Sequence, residues 1–111
     1  MDTELVKGTL SLLILSLLGR KPMYGYEIVT TVRQDTDGAF QWKEGSLYPS
    51  LHKLERAGLI RAQWQGARGS RRRKYYQLAA AGRAALAEKT DDWAQLCRAI
   101  NRVLETSHER A

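Results

Sequence analysis

Two alternating runs follow directly on a capped amphipathic helix, and that order constrains this chain more than any other feature. In Ser46 to Ala57, Leu47, Leu51 and Leu54 recur at i, i+4 and i+7, one apolar stripe on a helix. Ser46 reads as its N-cap and Gly58 as the C′ residue that closes it. Counted from Ser46, Pro49 falls in the first turn, where no intrahelical hydrogen bond is lost. Leu59 to Gln65 then alternates, with Ile60, Ala62 and Trp64 on one face and Arg61, Gln63 and Gln65 on the other. Arg72 to Leu78 alternates too, Lys74, Tyr76 and Leu78 against Arg73, Tyr75 and Gln77. The loop Gly66 to Ser70 joins them, so the pair reads as a β-hairpin. Tyr76 is expected inward with Leu78, and Tyr75 on the opposite side.

Two helices precede this unit. Leu5 to Leu18 is apolar nearly all round and ends at Gly19, with Pro22 shortly after. Such a helix sits in a core or an interface. Its apolar run, Leu10 to Leu18, is about half of the roughly 20 residues that a membrane span needs. The opening Met1-Asp2-Thr3-Glu4 has no basic segment of the kind that begins a secretory leader. No membrane partner is expected. Tyr24 to Gln34 suggests a second helix through Tyr24, Ile28 and Val32, closed by the turn cluster Asp35 to Gly38. Phe40 and Trp42 are expected in the core. Ala79 to about Thr106 is a long helical pattern. Leu86, Trp93 and Ile100 are spaced by seven, as are Leu96 and Val103, and Cys97 and Leu104. This seam is too long for a small core to cover, and a second copy of the chain is its expected partner.

The charge is concentrated. The chain of 111 residues carries 18 Lys+Arg against 12 Asp+Glu, a formal net charge of +6. Ten cations lie between Lys43 and Arg83, opposed by Glu44 and Glu55 alone, which makes that stretch +8. A basic balance favours an anionic partner. The densest cluster, Arg71-Arg72-Arg73-Lys74, sits at the hairpin's second strand. A helix with Tyr48, His52, Lys53 and Arg56 on its outer faces, and Ser50 between them, can enter a major groove of DNA. A basic hairpin can follow the backbone. The single cysteine excludes an intramolecular disulfide and a Cys-based zinc set. It also suits a reducing cytoplasm, where the protein is expected. His52 has no second His or Cys nearby, so neither metal nor cofactor is expected. There are no paired carboxylates in a cleft, no phosphate-binding glycine loop and no nucleophile with a base, so no enzyme activity is expected. Glu27, Glu44 and Glu55 read as surface or ion-pairing residues.

The string Gly45-Ser-Leu-Tyr-Pro-Ser-Leu-His-Lys-Leu-Glu55 with Gly58-Leu-Ile60 resembles the recognition helix of PadR-type transcriptional regulators. Tyr24-Gly-Tyr-Glu-Ile28, Arg72-Arg-Lys-Tyr-Tyr-Gln-Leu78 with Gly82, Lys7-Gly-Thr-Leu10 and Leu12-Leu-Ile-Leu15 are similar to the family too. The likeness runs from about Leu5 to Leu104 and points to the short subfamily with one C-terminal helix. It implies a fold that is mainly α with a small β-hairpin. Residues 1–78 would form a winged helix-turn-helix, and residues 79–111 a C-terminal dimerisation helix. It implies a homodimer on double-stranded DNA, a repressor at inverted-repeat operators. One departure is Ala79, where the family commonly has Thr or Ser capping the last helix, a loss of about 0.5–2 kcal/mol.

The resemblance carries DNA contact onto Ser46, Tyr48, Pro49, Ser50, His52 and Lys53. Tyr48 either meets DNA or packs under the wing, and its position opposite Leu47, Leu51 and Leu54 favours DNA. Tyr26 and Lys43 match phosphate-holding positions, with a core place as the alternative for Tyr26. Arg71, Arg72, Arg73 and Lys74, with Tyr75 beside them, complete the wing surface. The dimer interface is expected to draw Leu10, Leu13 and Leu17 from the first helix. From the last helix it would draw Leu86, Trp93, Leu96 and Cys97, then Ile100, Val103 and Leu104. Trp93 either packs there or stacks a small aromatic or cationic effector between subunits. A winged helix that binds protein rather than DNA is the other reading. The basic wing argues against it, and nothing reads the 2′-hydroxyls of RNA in particular.

Overall fold

The computed structural model describes residues 8–66 and 71–110, the side chains of Glu109 and Arg110 excepted. Helix α1 spans Leu10–Arg20, strand β1 Met23–Tyr24 and helix α2 Gly25–Asp35. Helix α3 spans Glu44–Arg56, strands β2 and β3 Ile60–Gln65 and Arg73–Leu78, and helix α4 Ala80–Arg110. The strands form one antiparallel sheet in the order β1-β3-β2. This is a winged helix-turn-helix with a long C-terminal helix. The start expected for α1 at Leu5, the Lys7 of the opening motif, and Arg68 in the hairpin loop lie outside the described residues.

The three helices close on the sheet through their apolar stripes. Ile14, Leu15 and Leu18 of α1, Ile28 and Val32 of α2, and Leu47, Leu51 and Leu54 of α3 are buried together. Ile60 and Tyr76 cap this core from the hairpin. Each such side chain stabilises the fold by about 1.5–3 kcal/mol when fully buried. Phe40 and Trp42 stack at 6.5 Å and pack against the core, as expected from their place before α3.

The α3 end shows how sequence becomes a turn. The Leu59 amide donates to the Leu54 carbonyl and the Gly58 amide to the Glu55 carbonyl, both at 3.0 Å. That pair of bonds is the Schellman motif, and it needs the left-handed backbone that Gly58 supplies at φ 76°. The chain thus reverses into β2 with Leu59 tucked against the core.

Several boundaries differ from expectation, most of them by one residue. Helix α1 continues through Gly19 to Arg20. A Cβ at residue 19 would lie 3.6 Å from Leu86 of α4 and 3.8 Å from Leu78, ordinary contact distances, so the helix passes Gly19 without a steric demand for glycine. Helix α2 starts at Gly25, since Met23 and Tyr24 pair as a third strand with Tyr76 and Tyr75. Helix α3 starts at Glu44, with Lys43 as its cap residue and no side-chain cap bond. Ser46 is therefore inside the helix, and its amide donates to the Lys43 carbonyl at 3.0 Å. Pro49 then stands in the second turn, and the Gly45 carbonyl lacks an intrahelical donor. Gly45 is exposed, so water can take that place. Finally, α4 runs past Thr106.

The hairpin register is the one the alternation implied: Ile60 faces Leu78, Ala62 faces Tyr76, and Trp64 faces Lys74. At the joint with α4, the Ala79 amide donates to the Leu59 carbonyl and the Ala79 carbonyl accepts from the Arg83 amide. Ala79 offers no side-chain oxygen to the new helix, as expected.

Candidate nucleic-acid interface

A groove of about 680 Å³ runs between α3, the start of α2 and the wing. From α3 it takes Glu44, Tyr48 and His52, spaced by four along one flank of the helix. From α2 it takes Gly25 and the 64% exposed Tyr26, so the core alternative for Tyr26 does not hold. Arg71, Arg72, Arg73 and Lys74 form the opposite wall. Among the described lining residues Glu44 is the one carboxylate, and Glu55 pairs with Lys74, so Arg71, Arg72 and Arg73 leave the groove with a positive field.

The outer face of α3 continues the same surface. Ser46, Pro49 and Lys53 are exposed, on the side of the helix away from Leu47, Leu51 and Leu54, and Lys43 is exposed beside them. Ser50 is half-buried, and its hydroxyl donates to the Ser46 carbonyl at 3.2 Å. These residues border the groove without lining it.

Tyr48 is partly open to the groove and partly packed. It is 39% exposed, and its hydroxyl lies 2.7 Å from where a Cβ of residue 25 would stand. Gly25 therefore lets the Tyr48 ring cross to the start of α2. Its packing partner is α2 rather than the underside of the wing.

On the wing, Arg71, Arg72 and Arg73 are exposed, while Lys74 is half-buried. The Lys74 ammonium lies 3.9 Å from the Glu55 carboxylate and 5.5 Å from the centre of the Tyr76 ring. Burial raises the Tyr76 phenol above its ordinary pKa, and the charges of Glu55 and Tyr48 add to that. Tyr75 is half-buried beside β1. Its ring meets Tyr24 edge-on at 5.4 Å, and it does not line the groove. The β1 pairing draws it there. Of the surface carboxylates, Glu27 pairs with Lys21 at 2.8 Å and raises that lysine's pKa by hydrogen bond and charge.

The sequence reading does not place Tyr24, Gly25, Glu44, Trp64 or Tyr76 at this groove. Trp64 is legible in part, because alternation puts it on the face of Ala62. Tyr24 is hidden by β1, a strand too short to show a period.

The residues expected at the dimer interface separate into three groups. Leu17 is 4% exposed and belongs to the core, so it is not open to a partner. Leu10, Leu13 and Leu86 are half-buried and pack against that core. Beyond them, Trp93, Leu96, Ile100, Val103 and Leu104 are exposed, from 45% at Trp93 to 65% at Val103. Cys97 is half-buried among them as a free thiol. No helix among the described residues is long and apolar enough to cross a membrane.

Comparison with known proteins agrees with this geometry. The chain is 33% identical over 103 residues to an uncharacterised protein of Lysinibacillus sphaericus, covering 93% of this chain and 94% of that one. A solved transcriptional regulator from Clostridium thermocellum superposes with a TM-score of 0.85 at 30% identity, over 92% of this chain and 96% of that one. A PadR family transcriptional regulator from Eggerthella lenta gives 0.82 at 38% identity, over 93% and 88%. The family model described as the transcriptional regulator PadR-like family matches residues 14–88, which hold most of α1, all of α2 and α3, strands β1 to β3 and the joint into α4. With that match and this groove, the chain belongs to the PadR-like family of transcriptional regulators, DNA-binding proteins of the winged helix-turn-helix fold.

Proposed function

We propose that the chain acts as a homodimeric repressor that seats two α3 helices in an inverted-repeat operator in the cytoplasm. One observation carries this reading. The outward face of α3 and four wing cations border one continuous groove, where Glu44 is the lining carboxylate and Glu55 pairs with Lys74, so Arg71, Arg72 and Arg73 leave it positive. A major groove about 12 Å wide admits one helix. Ser46, Pro49 and Lys53 would then meet base edges, and Tyr26, His52 and the wing cations would meet phosphates. The exposed stripe of α4 supports the dimer, since a second copy would cover it. Two recognition helices would address half-sites about one turn, roughly 34 Å, apart or a multiple of it.

Trp93 is the place we assign to a small aromatic or cationic effector. It is 45% exposed at the head of the stripe, where two copies would enclose it. Trp93→Ala should abolish the fluorescence quenching that such a compound causes.

Fluorescence anisotropy on the duplex upstream of the chain's own gene, beside a scrambled duplex and across a salt series, tests the main reading. Preference for the upstream duplex, with a log–log salt slope near −0.9 per phosphate contacted, is expected. Absence of binding to both duplexes at low salt would favour the protein-interaction module instead.

A further inference from the structure

The wing extends beyond its support. Strand β1 pairs with β3 only at Tyr75 and Tyr76, so Arg73 and Lys74 are paired to β2 alone. Arg72 precedes the strand altogether. Long cationic side chains on so slim a ribbon lose considerable rotamer entropy when they fix a phosphate.

Two of these guanidiniums nevertheless rest on rings. The Arg73 guanidinium carbon is 4.5 Å from the centre of the Tyr24 ring, and that of Arg72 is 5.7 Å from the Trp64 ring. Both lie within the roughly 6 Å reach of a cation–π contact. Neither arginine has a carboxylate partner among the described residues, whose ion pairs involve Arg20, Lys21 and Lys74. A guanidinium laid on a ring keeps its N–H edge free for a bidentate acceptor.

Tyr24 is itself held in the fold, and Trp64 is fixed at its backbone by the hairpin register. Tyr24 is the N-cap residue of α2, pairs with Tyr75 across the sheet and meets its ring edge-on. Trp64 faces Lys74 in the register and is 56% exposed, so its indole adds little to the core.

Resting on the DNA-binding reading above, we propose that Tyr24 and Trp64 are positioning residues of the interface. They hold the Arg73 and Arg72 side chains poised over the groove before DNA arrives. The rings lower the ordering cost of binding and need no contact with DNA themselves. The effect is independent of base sequence, because phosphate is the acceptor.

The test measures binding of the full chain to a labelled mixed-sequence duplex at low salt. Tyr24→Leu and Trp64→Leu should each weaken binding roughly two- to fivefold, the range of an exposed cation–π contact. Tyr24→Phe and Trp64→Phe keep a ring and should keep most of the affinity. In an Arg73→Ala background, Tyr24→Leu should change nothing further, and Trp64→Leu likewise in Arg72→Ala. Thermal melts followed by circular dichroism report folding. Should Tyr24→Leu fail to fold, the exposed Trp64 pair still decides. Leu variants that bind like the parent, or that weaken binding as much without the arginine as with it, overturn the positioning role alone. A parent that binds no duplex at low salt overturns the DNA reading and this role with it.

Discussion

The winged part of the molecule and the far half of α4 carry similar apolar residues and treat them in opposite ways. From Ile14 to Tyr76 most of them converge from three helices and a sheet into a buried core, with Tyr26, Tyr48 and Trp64 left at the groove. From Trp93 to Leu104 they line one helix and face outward. The whole measures 66 × 28 × 21 Å, because α4 projects past the body. An isolated helix gains little stability from its own hydrogen bonds, so most comes from packing an apolar face. A contiguous apolar stripe of this kind is the mark of an interaction site. The contrast teaches that the winged part can define its own shape, whereas the stripe is left open, the place our proposal gives to a second copy.

The comparison can be broken first in the body. Leu51→Ala removes a fully buried side chain from the centre of the core. It should lower stability by about 2–5 kcal/mol in urea unfolding. A loss under ~1 kcal/mol, which the same reasoning reserves for sites that collapse, would mean the core is looser than its burial implies.

The next effect lies at the joint. A Cβ on Gly82 would run into the Leu59 carbonyl and the Leu78 side chain. Gly82→Ala should cost about 1–3 kcal/mol as the start of α4 is forced from the hairpin. An unchanged melting temperature would show that α4 is hinged rather than seated there.

Smaller still is the effect of Arg72→Ala with Arg73→Ala. Both side chains are exposed, so stability should hold while binding to every duplex weakens. The salt slope should flatten by about 0.9 for each phosphate that the wing no longer neutralises. Unchanged affinity would remove the wing from DNA binding.

The smallest concerns pH. The Tyr76 phenol is raised by burial, so the folded chain holds its proton more tightly than the unfolded chain. That stabilisation is complete below the unfolded pKa near 10 and is lost as pH rises through the folded value. Tyr76→Phe should therefore lose less stability than the parent in strongly alkaline buffer. Parallel curves would place the phenol in contact with water.

Much of this is legible in the residues. Leu47, Leu51 and Leu54 fix the inner face of α3, and alternation through Ile60, Ala62 and Tyr76 fixes the hairpin register. Gly58 marks its turn correctly, because the left-handed backbone it supplies has few substitutes. The start of α3 is misread because Ser46 has the chemistry of a cap, while the actual cap residue, Lys43, has none. Strand β1 leaves no trace, since Met23 and Tyr24 are ordered by pairing with a distant strand. Leu17 looks free for a partner because helix periodicity does not distinguish the core of one chain from the interface of two. The ring contacts of Arg72 and Arg73 depend on that same hidden strand and on the hairpin's twist.

The central claim is that the α4 stripe brings two winged parts to one duplex. Sedimentation velocity of a labelled upstream duplex, titrated with the parent and with Leu96→Glu/Ile100→Glu, tests it directly. The account predicts two chains per duplex for the parent. It predicts a monomer for the variant, with the winged part folded and the preference for the upstream duplex lost. A parent that binds as one chain at full affinity, or a variant that binds as the parent does, would contradict it.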